Sequence, residues 1–171
     1  FYNTPLSKLK KISISQALKH PNWKMGKKIS IDSATMINKV YEVIEARKIF
    51  KISYDKIEIL THPKSYVHAI IKFSNGLIKM ILHDTTMKIP IFNTLFINSK
   101  KKILTKSLNI DVLNNLNLKT IKKNKFPMVR LLNYLNNKNS LYETVIVSAN
   151  DVLVELFLQK KIKFLDIQKK L

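Results

Sequence analysis

The sequence predicts an α+β protein: a small sheet with flanking helices, followed by a connector and a partial helical bundle. Three observations carry that prediction. Two β-branched, apolar runs, Tyr66 to Phe73 and Leu77 to Leu82, are joined through Ser74-Asn75-Gly76, and Asn-Gly is the strongest short-range hairpin signal. The stretch from Asp32 to Phe50 contains neither Pro nor Gly and reads as one long helix. After a polar stretch rich in Asn and Lys, Asn98 to Asn124, helical periodicity returns at Pro127.

The elements follow in order. Phe1 to Ser30 lacks strong periodicity and holds Pro5, Pro21 and Gly26, so it reads as loop with one short helix at Ser15–Lys19. A long loop that carries the lone tryptophan, Trp23, points to function rather than filler. Asp32 or Ser33 is a suitable N-cap for the helix that ends at Phe50, with Met36, Val40, Val43, Ile44 and Phe50 on its apolar face. Ile57-Glu58-Ile59-Leu60 reads as a short strand ahead of the hairpin. Met87 to Phe96, with Pro90 in its first turn, reads as a helix. Met128 to Leu135, Ser148 to Gln159 and Leu165 to Leu171 resemble two or three helices of a bundle that stops early.

Composition narrows the function classes. A chain of 171 residues that is 46% hydrophobic can bury a core of one or two small domains. It has no run of 18 apolar residues, so no membrane span is expected. The start, Phe1-Tyr2-Asn3-Thr4-Pro5, lacks both an initiator Met and a signal pattern, and reads as part of a longer protein. The absence of cysteine excludes disulfides and thiolate metal sites. A net charge of +20 invites a nucleic-acid reading. The details argue against it: of 31 basic residues only Arg47 and Arg130 are Arg, the residue suited to bidentate phosphate and guanine contacts, and the lysines are dispersed. Lys, Ile and Asn make up 68 of the 171 residues, and their A- and T-rich codons explain the charge without a ligand.

The densest chemistry lies in His20-Pro21-Asn22-Trp23-Lys24-Met25-Gly26-Lys27-Lys28 and in Asp32 to Lys39. On a helix at 100° per residue, Asn38, Lys39 and Glu42 share one arc of about 100°. With Ser33 at a helix N-terminus, Ser33, Asn38 and Lys39 suit a phosphate, and Glu42 suits a hard cation such as Mg²⁺ or Mn²⁺. The same triplet equally suits a solvated helix face. Trp23, Met25 and Gly26 suit a flap over a flat ring or sugar phosphate, or a tryptophan packed on its own loop. His20 before Pro21 is either an exposed loop residue or a ligand contact. His68, mid-strand between apolar residues, reads as a hydrogen-bonded core histidine or a supporting site residue. Asp84 is the nearest further carboxylate that could join Glu42.

The run HPNWKMGKKISIDSATMINK, with Glu42 after it, resembles the signature of the 1-deoxy-D-xylulose 5-phosphate reductoisomerase family. The likeness continues through His62-Pro63-Lys64-Ser65-Tyr66-Val67-His68, Asn75-Gly76 and Met87-Lys88-Ile89-Pro90-Ile91, and more weakly at Ser148-Ala149-Asn150-Asp151 and Phe157-Leu158. The resemblance implies a catalytic-domain portion with the flap over residues 1–97, a connector over 98–126 and a partial C-terminal helical domain over 127–171. It implies that His20, Ser33, Asn38 and Lys39 contact the sugar-phosphate substrate, the last three at its phosphate. Glu42 would be one of three carboxylate ligands to Mn²⁺ or Mg²⁺, Trp23 and Met25 would belong to the flap, Gly26 would approach NADPH, and Met87 would lie near the nicotinamide.

The implied reaction is a metal-assisted rearrangement followed by NADPH-dependent reduction to 2-C-methyl-D-erythritol 4-phosphate, in isoprenoid biosynthesis. A homodimeric, cytoplasmic parent (plastid-type if eukaryotic) goes with it, without membrane or nucleic-acid partners. This chain alone, lacking the nucleotide-binding domain and two metal carboxylates, is not expected to be competent. Val40 stands where the family has a small glycine, Thr85-Thr86 where Pro-Asp is usual, and Phe96-Ile97-Asn98 at a small-aromatic-Pro step. Other classes that fit the composition are an inactive remnant and a basic, non-catalytic RNA-binding protein.

Overall fold

A computed structural model of the chain describes residues 4–19, 25–98, 100–138 and 140–171. It is α+β and divides into two compact units, one built from Phe1–Ile59 with Ile121–Leu171, the other from Leu60–Thr120. These units cut across the consecutive segments 1–97, 98–126 and 127–171.

The first unit is helical. Helix α1 spans Leu6–Leu9 and α2 spans Ile14–Ala17. The latter overlaps the expected Ser15–Lys19 helix, and a capping box sets its start: Gln16 N–H donates to Ser13 Oγ at 3.3 Å, and Ser13 N–H to Gln16 Oε1 at 2.9 Å. The single helix expected from Asp32 to Phe50 is two helices. Helix α3 spans Lys27–Thr35 and α4 spans Ile37–Phe50. Met36 stands between them in the left-handed region, with φ 67° and its N–H bonded to Ser33 O at 3.3 Å. Asp32 and Ser33 are therefore interior to α3 and cap nothing; the N-cap is Gly26. Asp32 cannot cap because its carboxylate is used elsewhere.

On α4, Val40 and Val43 are buried as expected and Ile37 joins them, but Phe50 is 69% exposed at the last turn. A short 3₁₀ turn, Tyr54–Lys56, follows, and Pro127–Tyr134 is also 3₁₀. Helix α7 spans Tyr142–Leu158, starting six residues before the expected Ser148, and α8 spans Phe164–Lys170. The core packs Ile31, Ile37 and Val40 against Met128, Ile146, Leu153, Val154, Phe157 and Ile167. Each such fully buried side chain stabilises by about 1.5–3 kcal/mol. The core thus joins the helices that carry the candidate site to the C-terminal helices.

The second unit holds two small antiparallel ladders. Strand β1, Leu60–Thr61, pairs with β4, Lys119–Thr120. The expected strand Ile57–Leu60 is thereby reduced to its last residue. Strands β2, Val67–Lys72, and β3, Ile78–Leu82, form the expected hairpin. Gly76 turns it at φ 88°, a conformation that residues with a Cβ rarely adopt. Helix α5 spans Lys88–Leu95 and α6 spans Ile110–Asn114 within the polar connector. Among the described residues no helix is long and apolar enough to cross a membrane.

Candidate functional site

The break at Met36 decides the local geometry. Because α4 begins afresh at Ile37, Asn38 and Lys39 lie in its first turn, which contains no acidic side chain. The positive end of the helix and the Lys39 ammonium therefore favour an anion together. Glu42 follows one turn later. Asn38 Nδ2 donates to Glu42 Oε1 at 2.8 Å, and Lys39 Nζ reaches both Glu42 oxygens at 2.8 Å. The three residues that share an arc thus meet. The pair is open to water, with the Lys39 and Glu42 side chains 40% and 47% exposed. Ser33 is half-buried in the last turn of α3. It is not at a helix N-terminus; the anion-favouring end is that of α4.

The other candidates are placed as follows. Met25 and Gly26 stand at the entry to α3, where a Cβ on Gly26 would meet nothing within 4 Å among the described residues. His20 and Trp23 lie outside the described residues. In the second unit Met87 precedes α5 and is 55% exposed. His68 is not a core histidine. It sits at the irregularity between Val67 and Ala69, is exposed, and stacks on the His83 ring at 3.5 Å with 7° between planes. Val67 and Ala69 on either side are half-buried, so His68 falls on the open face by ordinary strand alternation, and its apolar neighbours misled because they belong to the other face. Asp84, also in the second unit, accepts from Lys106 N–H at 3.3 Å. Among the described residues no three acidic or histidine side chains group together as a metal cage. A groove of about 600 Å³ lined by Lys8, Lys11, Lys19, Thr4 and Ser7 contains none of the candidate residues.

Sequence reasoning missed a second constellation beside this face. Asp32 is 2% exposed and Asn150, on α7, is fully buried. Asn150 Nδ2 donates to Asp32 Oδ1 at 2.8 Å, across 118 residues of sequence. Lys28 Nζ holds the other oxygen, Asp32 Oδ2, at 2.6 Å and reaches Asp151 Oδ1 at 3.0 Å. Burial opposes the Lys28 charge, but its hydrogen bonds to Asp32 and Asp151 outweigh that and raise its pKa above the ordinary lysine value. Burial, then the Asp32 and Asp151 charges, push the Tyr41 hydroxyl well above the usual tyrosine range. A signal for Asn150 existed: it is a polar residue within the buried stripe Ile146, Asn150, Leu153, Val154, Phe157.

The family model described as "1-deoxy-D-xylulose 5-phosphate reductoisomerase C-terminal domain" matches residues 1–50. A second, "DXP reductoisomerase C-terminal domain", matches residues 82–171. The chain belongs to the 1-deoxy-D-xylulose 5-phosphate reductoisomerase family. The reductoisomerase of Pelagibacter ubique (strain HTCC1062) is 60% identical over 167 residues, covering 98% of this chain and 43% of the relative. That of Sulfurihydrogenibium sp. (strain YO3AOP1) is 40% identical, covering 99% and 45%. The solved enzyme from Zymomonas mobilis, in complex with NADPH, superposes with a TM-score of 0.86 at 34% identity, covering 98% of this chain and 43% of that one. A reductoisomerase solved with NADPH, fosmidomycin and magnesium gives 0.81 at 32% identity, covering 96% and 40%. The chain therefore spans less than half the length of these relatives.

Proposed function

We propose that this chain is the C-terminal portion of an enzyme that converts 1-deoxy-D-xylulose 5-phosphate to 2-C-methyl-D-erythritol 4-phosphate. The observation that carries the reading is the meeting of Asn38, Lys39 and Glu42 on the first turns of α4, in a chain of this family. Ser33, Asn38 and Lys39 bind the substrate phosphate: a hydroxyl and an amide donate, and the ammonium supplies charge. His20 contacts the same substrate. Met25, with Trp23, closes over it and excludes water. Gly26, where a Cβ would meet none of the described residues, lets the NADPH approach, and Met87 lies by the nicotinamide.

Glu42 is a hard oxygen donor exposed to solvent, which fits one ligand of Mn²⁺ or Mg²⁺. One carboxylate does not suffice, so the remaining ligands belong to the part of the relatives that this chain does not span. When bound, the cation supplies Lewis-acid polarisation of adjacent substrate oxygens and NADPH supplies the hydride. On turning to a phosphate, Lys39 and Asn38 would release the Glu42 carboxylate and leave it free to hold the cation. NADPH and magnesium in the related solved structures support this reading.

The functional division is a catalytic portion with flap over 1–97, a connector over 98–126 and a helical portion over 127–171. The parent enzyme is a cytoplasmic homodimer. The exposed apolar side chains of the hairpin, among them Ile71, Ile78 and Ile81, support a protein-covered surface on the second unit. The test is turnover. The full-length parent oxidises NADPH when given 1-deoxy-D-xylulose 5-phosphate and Mn²⁺, and the purified 171-residue chain does not. A silent parent, or turnover by this chain alone, refutes the proposal.

A further inference from the structure

We propose that Asn150 is a positioning residue for the phosphate site, acting from α7 through Asp32. The inference rests on the assignment of Ser33, Asn38 and Lys39 to the phosphate. Asp32 adjoins Ser33 in the chain, and its backbone carbonyl accepts the Thr35 hydroxyl at 3.2 Å. The same Thr35 Oγ1 lies 3.5 Å from Ile37 N, at the first residue of α4. A path of direct contacts therefore runs from Asn150 to Asp32, to the last turn of α3, and across the Met36 break to the turn bearing Asn38 and Lys39.

The chemistry of the pair points the same way. A carboxylate buried to 2% exposure is costly unless each oxygen is met. Lys28 meets one oxygen from a long side chain that is 46% exposed, and this holds charge without fixing direction. Asn150 meets the other with a short, fully buried amide that has one orientation. An apolar residue in that stripe would leave Asp32 Oδ1 unmet. Asn150 Oδ1 itself has no hydrogen-bond partner among the described residues. What the asparagine adds is a fixed rotation of α3, and Ser33 turns with it.

The experiment uses the full-length parent, with inorganic phosphate as competitive probe and two substrates, 1-deoxy-D-xylulose 5-phosphate and the phosphate-free sugar. Asn150→Ala is expected to weaken inorganic phosphate and to raise KM for the phosphorylated substrate, each about tenfold. It should leave kcat/KM for the phosphate-free sugar and KM for NADPH unchanged. Equal losses on both sugars, or no loss on either, overturn the inference. Should Asn150→Ala not fold, Asn150→Ser carries the same readout, and failure of both to fold makes Asn150 a stability residue and overturns it too. Ser33→Ala separates the two levels. If Ser33→Ala weakens phosphate and Asn150→Ala does not, positioning alone fails. If Ser33→Ala leaves phosphate binding unchanged, the phosphate assignment fails and takes this inference with it.

Discussion

Lys39→Ala should uncouple stability from binding. In the free protein Lys39 grips Glu42 at 2.8 Å through both oxygens, and such a contact looks stabilising. The exposures say otherwise. With 40% and 47% of the two side chains in water, the pair is screened and its net worth is about 0–1 kcal/mol. The i, i+3 placement on one helix sets a similar scale, about 0.2–0.5 kcal/mol. Urea unfolding of Lys39→Ala should therefore shift by less than about 1 kcal/mol. Against a phosphate the same ammonium makes a charge-assisted contact worth about 1.5–3 kcal/mol. Substrate affinity of the full-length variant should then fall roughly 10- to 150-fold. Removing the cation beside Glu42 should also tighten, not weaken, the apparent Mn²⁺ affinity. Unfolding monitored by circular dichroism, substrate titration and Mn²⁺ titration measure the three quantities. A stability loss above about 2 kcal/mol would make Lys39 structural, and unchanged substrate affinity would remove it from the site.

Two further outcomes are expected. Glu42→Gln keeps the shape of the side chain and removes the charge a hard cation needs, so the Mn²⁺ midpoint for activity of the parent should rise at least about tenfold; overlaid titrations would reduce Glu42 to a surface residue. Glu143 is 10% exposed at its side chain and is held by Ser140 Oγ at 2.8 Å, Tyr54 Oη at 3.3 Å and Lys48 Nζ at 3.5 Å. Burial works to raise its pKa, but the hydrogen bonds from the backbone and Ser140, the Lys48 charge and the Tyr54 hydroxyl bring it below the ordinary value. A lowered folded-state pKa stabilises above the unfolded value of about 4.3, and the gain is lost as pH falls through the folded value. Glu143→Gln should thus be less stable than wild type at pH 7 by about 1 kcal/mol, with the gap closing below about pH 4; a gap independent of pH would refute the assignment.

Much of this was legible because it needs only local geometry. The hairpin follows from Asn75-Gly76 between β-branched runs. The grouping of Asn38, Lys39 and Glu42 follows from helical spacing alone, and survives even though the start of their helix was misread. That misreading has a physical cause. The break at Met36 is marked by no Gly, Pro or Asn, and α3 hides Ser30, Asp32 and Thr35, polar residues that imitate a cap and loop. The early start of α7 was obscured because its first turn, Tyr142-Glu143-Thr144, is polar in pattern although Glu143 is buried. The Asp32–Asn150 bond was out of reach in principle: its partners are 118 residues apart, and only the packing of α7 on α3 brings them together.

The first unit is assembled from two stretches separated by the whole second unit. During synthesis at roughly 5–20 residues per second, about sixty residues must emerge before the second stretch begins. For at least roughly 3–12 seconds, then, Ile31, Ile37 and Val40 have no C-terminal helices to pack against. The helices that bear the proposed phosphate residues are born early and completed late. That delay makes the interval the one in which a nascent chain of this kind most needs a chaperone, and it couples the order of translation to the yield of a working site.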